Sequence, residues 1–308
     1  MKLKCRIFII LFILIFSCSK SFTSENKILF KVNNQIITSY DILEEIKYLK
    51  LLNIELKNFN ENKIYDVAKN SIIKQKIKEY KLKTFYKKIE LEDSFLKQFL
   101  LNYFTKFNLS SIAEINQLLN KNDLKLDYIK KKITIQLMWN EFIFKKFSKN
   151  IKIDKEMIKL EISKKKFQKE FLISEIVFSA NSKSELSKKL NLIKNEINKN
   201  NFISAAIIHS ESDSSINGGK IGWIKESSLS DQIKNNIKNI VVGETTNPIQ
   251  LPGGFIILKV EDIRETSLEL DTNKEIEMII KRKTNEQLNQ FSNIYLNKIK
   301  KNVRIDEL

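Results

Sequence analysis

Histidine and cysteine, which carry much of the nucleophilic, redox and metal chemistry of proteins, are scarce in this 308-residue chain. His209 is the single histidine, and the two cysteines, Cys5 and Cys18, both lie near the start of the chain. A histidine without a second chemical partner is rarely a catalytic centre, so we expect His209 to be structural. The same inventory predicts neither a metal site nor a bound cofactor, and no phosphate-binding motif for ATP occurs.

The most distinctive polar segment covers residues 209–217 and runs directly into Gly218 and Gly219. Paired glycines allow positive φ ahead of the apolar stretch that contains Trp223. All six glycines and both prolines of the chain lie between residues 218 and 254. This concentration of turn-forming residues predicts a compact α+β unit in the second half of the chain.

Helical periodicity dominates the rest of the chain. Residues 28–38 predict a β-hairpin, and Thr38 with Asp41 forms a capping box at the start of a helix. Apolar residues at helical spacing predict further helices at 64–82, 95–103, 111–119, 126–147, 185–199 and 271–301, and a Lys-rich linker helix at 151–169. Phe95, Phe99 and Tyr103 are spaced as a packed helix face requires, and a client-binding cradle is the alternative interpretation.

The first residues are typical of an export signal. Lys2, Lys4 and Arg6 precede an unbroken apolar run over residues 7–16, which is too short to span a bilayer. We therefore expect residues 1–24 to be a signal peptide and the product to be exported. Cleavage between residues 19 and 24 would release a soluble protein, whereas Cys18 offers lipid anchoring to the membrane as an alternative.

The charge of the chain is strongly positive, at +17, and removal of residues 1–24 leaves +13 because four basic residues are lost. Such a charge attracts nucleic acid or anionic lipid, so an electropositive scaffold is one hypothesis. Basic and acidic residues are interspersed, however, and no Arg-rich block occurs. We expect a solvated Lys-rich surface and no nucleic-acid partner.

Four ordered segments of the second half resemble the parvulin, or PpiC-type, peptidyl-prolyl isomerases. They are residues 200–206, residues 209–223 with their Asn-Gly-Gly and Gly-Trp pairs, residues 241–249, and the apolar strand at 252–259. The resemblance implies a β-α3-β-α-β2 domain.

The flanking segments resemble SurA-type periplasmic chaperones. Residues 31–42, 124–133 and 271–301 look like the first hairpin and helix, a later N-domain helix and the long C-terminal helix of that family. The resemblance implies an α+β fold class, in which a C-terminal helix completes a helical N-terminal chaperone domain and one parvulin-like domain is added. The expected boundaries are 1–24, 25–150, 151–169, 170–264 and 265–308.

Parvulins present two histidines and a Cys or Asp around an apolar proline slot. The resemblance places Glu175 and Phe255 at the histidine positions and Ser212 at the Cys/Asp position. It also assigns substrate binding to Leu229, Ile233, Trp223 and Ile257. Because the polar groups differ, we expect a binding module with weak or no isomerase activity, although a buried Glu175 with a raised pKa could still act.

These observations together predict a function. We expect a monomeric, ATP-independent periplasmic chaperone that binds unfolded outer-membrane or other exported polypeptides. The alternative is an active peptidyl-prolyl cis-trans isomerase that assists the folding of exported proteins.

Overall fold

The computed structural model describes residues 26–163, 167–267 and 272–308. The predicted signal peptide and Cys18 lie outside the described residues. The helices are α1 (Ser39–Leu52), α2 (Glu61–Lys83), α3 (Asp93–Tyr103), α4 (Ile112–Lys121), α5 (Leu126–Phe147), α6 (Lys155–Ser163), α7 (Lys183–Lys199), α8 (Phe202–His209), α9 (Asp231–Ile237) and α10 (Thr272–Lys300). The strands are β1 (Ile28–Val32), β2 (Gln35–Thr38), β3 (Phe167–Phe178), β4 (Lys220–Lys225), β5 (Ile249–Leu251), β6 (Gly254–Ser267) and β7 (Ile305–Glu307). No helix within the described ranges combines the length and apolar character that a membrane span requires.

Short-range sequence signals set the helix starts. Thr38 caps α1, and Asp41 Oδ2 accepts a hydrogen bond from Thr38 N at 2.7 Å, which confirms the predicted capping box. Ser111 and Glu114 form the same arrangement at α4. In the helical half, where the chain contains no glycine, Asn33, Asn108 and Asp123 adopt positive φ. Short polar side chains thus supply the left-handed turns that glycine usually provides.

The helical unit is built on a small antiparallel sheet with strand order β2-β1-β7. β7 pairs with β1 through Phe30 opposite Glu307 and Val32 opposite Ile305. Phe30 and Val32 are almost fully buried and join one apolar core with α1–α5. The two ends of the described chain are therefore joined within one sheet.

Helix α10 closes the core of the helical unit. Trp139 of α5 is fully buried, and its Nε1 donates a hydrogen bond to Ser292 Oγ of α10 at 2.8 Å. The ring of Tyr295 lies 6.1 Å from that of Trp139 and 5.7 Å from that of Phe142. The predicted fold class, in which the C-terminal helix completes the helical domain, is confirmed.

The second unit is an antiparallel sheet with strand order β4-β3-β6-β5. Its order along the chain is β3-α7-α8, a 3₁₀ turn at Asp213–Asn217, then β4-α9-β5-β6. This is the predicted β-α3-β-α-β2 topology, with the third helix reduced to a 3₁₀ turn. Separate apolar clusters cover the two faces of the sheet, because side chains alternate along β3 and β6.

The predicted linker helix over 151–169 is wrong at its C-terminal end. Helix α6 ends at Ser163, and β3 begins at Phe167, paired with Ser267 of β6. The pairing of β3 with β6 continues through Glu170 opposite Arg264. There, Arg264 Nη2 lies 2.7 Å from Glu170 Oε2. Residues 265–267, expected in the C-terminal helical segment, are also strand. The other domain boundaries stay a prediction.

Replacement of Trp139 by alanine should destabilise the helical unit by about 3–5 kcal/mol, because it removes a fully buried ring and a hydrogen bond to α10. Urea denaturation of the whole chain measures this loss. Phe144→Ala on the same helix, where 51% of the side chain is exposed, is the control and should change stability by less than about 0.5 kcal/mol. Equal effects of the two variants would contradict the closing role of α10.

Candidate functional site

A groove of about 590 Å³ lies between the four-stranded sheet and α10. Its floor is apolar and comes from β3, β6 and the segment around α9, through Ile173, Leu229, Ile233, Ile256 and Leu258, each almost fully buried. Its other wall is α10, which contributes Met278, Arg282, Asn285, Glu286 and Asn289. The volume falls in the range of ordinary ligand sites, and the site is composite because α10 lies outside the sheet unit.

One end of the groove is polar and is organised around Glu175. Glu175 Oε1 accepts hydrogen bonds from Ser212 Oγ at 2.6 Å and from Ser214 Oγ at 2.8 Å. Glu175 N donates to the carbonyl of Gly219 at 2.8 Å. Gly219 has φ +78°, and a Cβ there would lie 2.2 Å from Glu175 O. The glycine therefore permits the close approach that fixes the carboxylate beside the two serines.

Burial raises the pKa of the Glu175 carboxyl above its usual value. The hydrogen bonds from Ser212 and Ser214 oppose this shift, and the negative charge of Asp213 adds to it. Burial disfavours the charged form most strongly, so the proton is held more tightly than in an exposed glutamate. A protonated Glu175 can donate a hydrogen bond into the groove, whereas the ionised form can only accept.

The serine-bearing turn is also held by the helical unit. Lys78 Nζ lies 3.2 Å from Asp213 Oδ1, and Gln136 Nε2 donates to Asp213 Oδ2 at 3.0 Å. Lys74 Nζ donates to the carbonyl of Glu211 at 2.7 Å, and burial lowers the pKa of Lys74 to about 8. Side chains of α2 and α5 thus position the turn that carries the groove's polar residues.

The structure brings most of the predicted site residues together. Glu175, Ser212, Leu229, Ile233 and Phe255 all line the groove. The ring of Phe255 also stacks on that of Phe178 at 5.7 Å, so it packs with the cluster on the other face of the sheet.

Two of the predicted substrate-binding residues, Trp223 and Ile257, lie outside the groove lining. Ile257 lies on the face opposite to Ile256 and Leu258, where it packs in the cluster under α7 and α8. This follows from the alternation of side chains along β6. Trp223 is absent from the groove lining, and its ring lies 4.0 Å from the guanidinium carbon of Arg264.

His209 lies outside the groove. It lines a second cavity, of about 540 Å³, between the helical unit and the segment at the end of α8. Burial lowers the pKa of His209, which favours the neutral form at neutral pH. Within the described residues, no group of three His, Cys, Asp or Glu side chains is placed to hold a metal ion.

Several groove residues were not predicted from the sequence. Ser214 was missed, although its two-residue spacing from Ser212 was a usable signal. The α10 side chains were also missed, because amphipathic periodicity does not reveal which surface a helix covers. A repeat of asparagine at every fourth position, Asn285, Asn289, Asn293 and Asn297, is visible in the sequence.

One known family matches the sheet unit. Residues 164–262 match the family described as "Rotamase: PPIC-type PPIASE domain". The chain is also similar to chaperone SurA of Pseudomonas aeruginosa, with 43% identity over 63 residues, and to chaperone SurA of Pseudomonas putida, with 41% over 63 residues. Each alignment covers 20% of this chain and 15% of the SurA protein.

Solved structures give similar matches. A study of the Campylobacter jejuni proteins PEB4 and Cj1289, described as SurA-like chaperones, provides a chain with 18% identity and a TM-score of 0.37. That match covers 92% of this chain and 99% of the other. A PpiC-type isomerase domain matches with 25% identity and a TM-score of 0.31, over 33% of this chain and 96% of the other.

Replacement of Glu175 by glutamine should stabilise the protein at neutral pH and have a smaller effect in acid. Because the folded-state pKa of Glu175 is raised, the folded state binds the proton more tightly than the unfolded state does. The stability that this tighter proton binding contributes is present at low pH. It is lost as pH rises from about 4.5 through the folded-state pKa of Glu175. Glutamine keeps an acceptor for both serines without the charge.

Chemical denaturation across this pH range tests the prediction. Glu277→Gln, at an exposed position on α10 outside the groove lining, is the control and should change stability by less than about 0.5 kcal/mol. A stability difference between wild type and Glu175→Gln that stays constant with pH would contradict the raised pKa.

Proposed function

We propose that this chain, which carries a PPIC-type domain and is similar to chaperone SurA, is an ATP-independent periplasmic chaperone whose isomerase centre has been converted for binding. Its clients are unfolded outer-membrane and other exported polypeptides, and it acts as a monomer. The predicted signal peptide supports the periplasmic location, with lipid anchoring through Cys18 as the alternative.

The arrangement around Glu175 is the observation that carries this proposal. The apolar floor through Leu229 and Ile233 is kept, so a slot for an apolar residue is present. The carboxylate at one predicted histidine position is hydrogen-bonded to Ser212 and Ser214, and Phe255 at the other offers no polar atom. The groove therefore favours apolar binding over stabilisation of a twisted amide, which requires aligned polar groups.

Isomerase activity is the second candidate, and the raised pKa of Glu175 favours it. A protonated Glu175 beside two serine hydroxyls could supply hydrogen bonds to a prolyl amide during rotation, whose barrier is about 18–20 kcal/mol. This candidate requires the carboxyl to exchange its serine partners for substrate.

We expect the full chain to suppress aggregation of an unfolded outer-membrane β-barrel protein diluted from urea, measured by light scattering without ATP. Ile221→Asp and Met278→Asp place charge on two partly exposed groove-lining residues and should weaken suppression several-fold. Leu192→Asp, at a position that is 54% exposed on α7 and outside the groove lining, is the control. No suppression by the wild type at several-fold molar excess would reject the chaperone proposal.

The isomerase candidate is tested by cis-trans exchange of an X-Pro peptide, measured by NMR. We expect the wild-type rate to equal that of buffer, because the polar groups around the slot are engaged within the protein. Acceleration by the wild type that is lost in Glu175→Ala and in Ser212→Ala would overturn this expectation and establish the second candidate.

A further inference from the structure

A row of side-chain amides runs along the wall of the groove. Asn285, Asn289 and Asn293 occupy every fourth position of α10, and all three line the groove. None of the three side chains hydrogen-bonds to any other described residue. The next member of the row, Asn297, differs, because its Nδ2 donates to Glu211 Oε2 at 2.9 Å. Three amides therefore face the groove with their donors and acceptors available.

The spacing of this row matches the repeat of an extended polypeptide. Four residues of α-helix rise about 6 Å, and two residues of an extended strand advance about 6.6 Å. A primary amide carries both donors and an acceptor, so it can pair with a backbone N–H and a backbone C=O. Successive amides of α10 can thus meet alternate peptide groups of one extended chain.

The apolar floor of the groove suits the side chains of the same ligand. Leu229, Ile233, Ile256 and Leu258 present an apolar floor. In an extended chain, successive side chains point to opposite sides, and the backbone N–H and C=O groups point sideways between them. A chain that lies along the junction of the floor with α10 can therefore direct alternate side chains to the floor and one backbone edge to α10. The groove therefore combines apolar contact with side chains and polar contact with the backbone.

The separation of the two walls is fixed by contacts at both ends of the row. Arg282 Nη1 donates to Trp223 O at 3.2 Å, and Lys283 Nζ donates to Leu229 O at 3.1 Å. At the other end, Gly253 has φ +94°, and a Cβ there would lie 2.2 Å from Cγ1 of Ile294. The backbone of α10 that carries the amides is held in position before a ligand arrives, which lowers the entropic cost of binding.

We infer that Asn285, Asn289 and Asn293 form a backbone-recognition ladder that selects an extended apolar polypeptide segment. This inference rests on the proposed chaperone function and adds how the groove recognises clients without reading a particular sequence. The hydrogen bonds go to the client's backbone, so different client sequences can use the same ladder.

The test uses the full chain and a short fluorescein-labelled peptide of alanine, leucine and proline, with binding measured by fluorescence anisotropy. The triple variant Asn285→Ala, Asn289→Ala and Asn293→Ala should bind about 10-fold more weakly than the wild type, since each lost hydrogen bond contributes modestly. Asn191→Ala with Asn195→Ala is the matched control. These asparagines have the same four-residue spacing on exposed positions of α7, outside both cavities, and should leave affinity unchanged.

A second probe separates backbone recognition from a structural effect. In a depsipeptide of the same side chains, esters replace alternate amides and remove backbone donors. The wild type should bind this probe several-fold more weakly than the all-amide peptide, and the triple variant should show a smaller preference. Circular dichroism melting identifies any loss of folding in the variants.

The outcomes distinguish the ladder from the chaperone function. If the triple variant binds the all-amide peptide as tightly as the wild type, the ladder is wrong and the proposed function stands. If the wild type does not distinguish peptide from depsipeptide, backbone recognition is wrong. If the wild type binds neither probe and suppresses no aggregation, both the ladder and the proposed function are rejected.

Discussion

The requirement that α10 pack against two surfaces at once governs this structure. Towards its N-terminus, the fully buried Glu275 carboxylate pairs with the Lys225 ammonium of β4. Towards its C-terminus, Ser292 and Tyr295 pack on Trp139 of the helical unit. A buried carboxylate is costly without a partner, so loss of the Lys225 ammonium would leave an uncompensated charge where α10 meets the sheet unit. The groove exists because a single helix is fixed at both places.

Part of the binding site therefore comes from outside the sheet unit. The sheet unit supplies the apolar floor, the turn at residues 212–214 supplies hydroxyls for Glu175, and α10 supplies the amides and Met278. Meanwhile Lys78 and Gln136 of the helical unit hold Asp213 in that same turn. An isolated sheet unit would keep the floor and lose both the wall and the support of the turn.

Local features of the fold were predictable from the sequence, and features set by distant contacts were not. The hairpin, the capping boxes at Thr38 and Ser111, and the glycine-rich turn depend on residues close together in the chain. It was harder to predict which side chains of β6 lie on which face of the sheet, because the run from Phe255 to Leu258 is apolar at every position. Both faces of that strand are covered, so alternation of residue type cannot tell Ile256 from Ile257. The Lys-rich sequence before β3 favoured a helix that continued to Lys169, whereas residues 167–169 pair with β6.

The pairing of β1 with β7 also constrains the order in which the molecule can assemble. One partner of this pair begins at residue 28 and the other at residue 305, with the entire sheet unit between them. A chain that emerges progressively from its N-terminus cannot complete the first sheet until nearly all of it is available, although the sheet unit can form from contiguous residues. Contacts this distant along the chain slow folding. We therefore expect the sheet unit, whose sequence lies between β1 and β7, to fold early. The helical unit should complete its packing last.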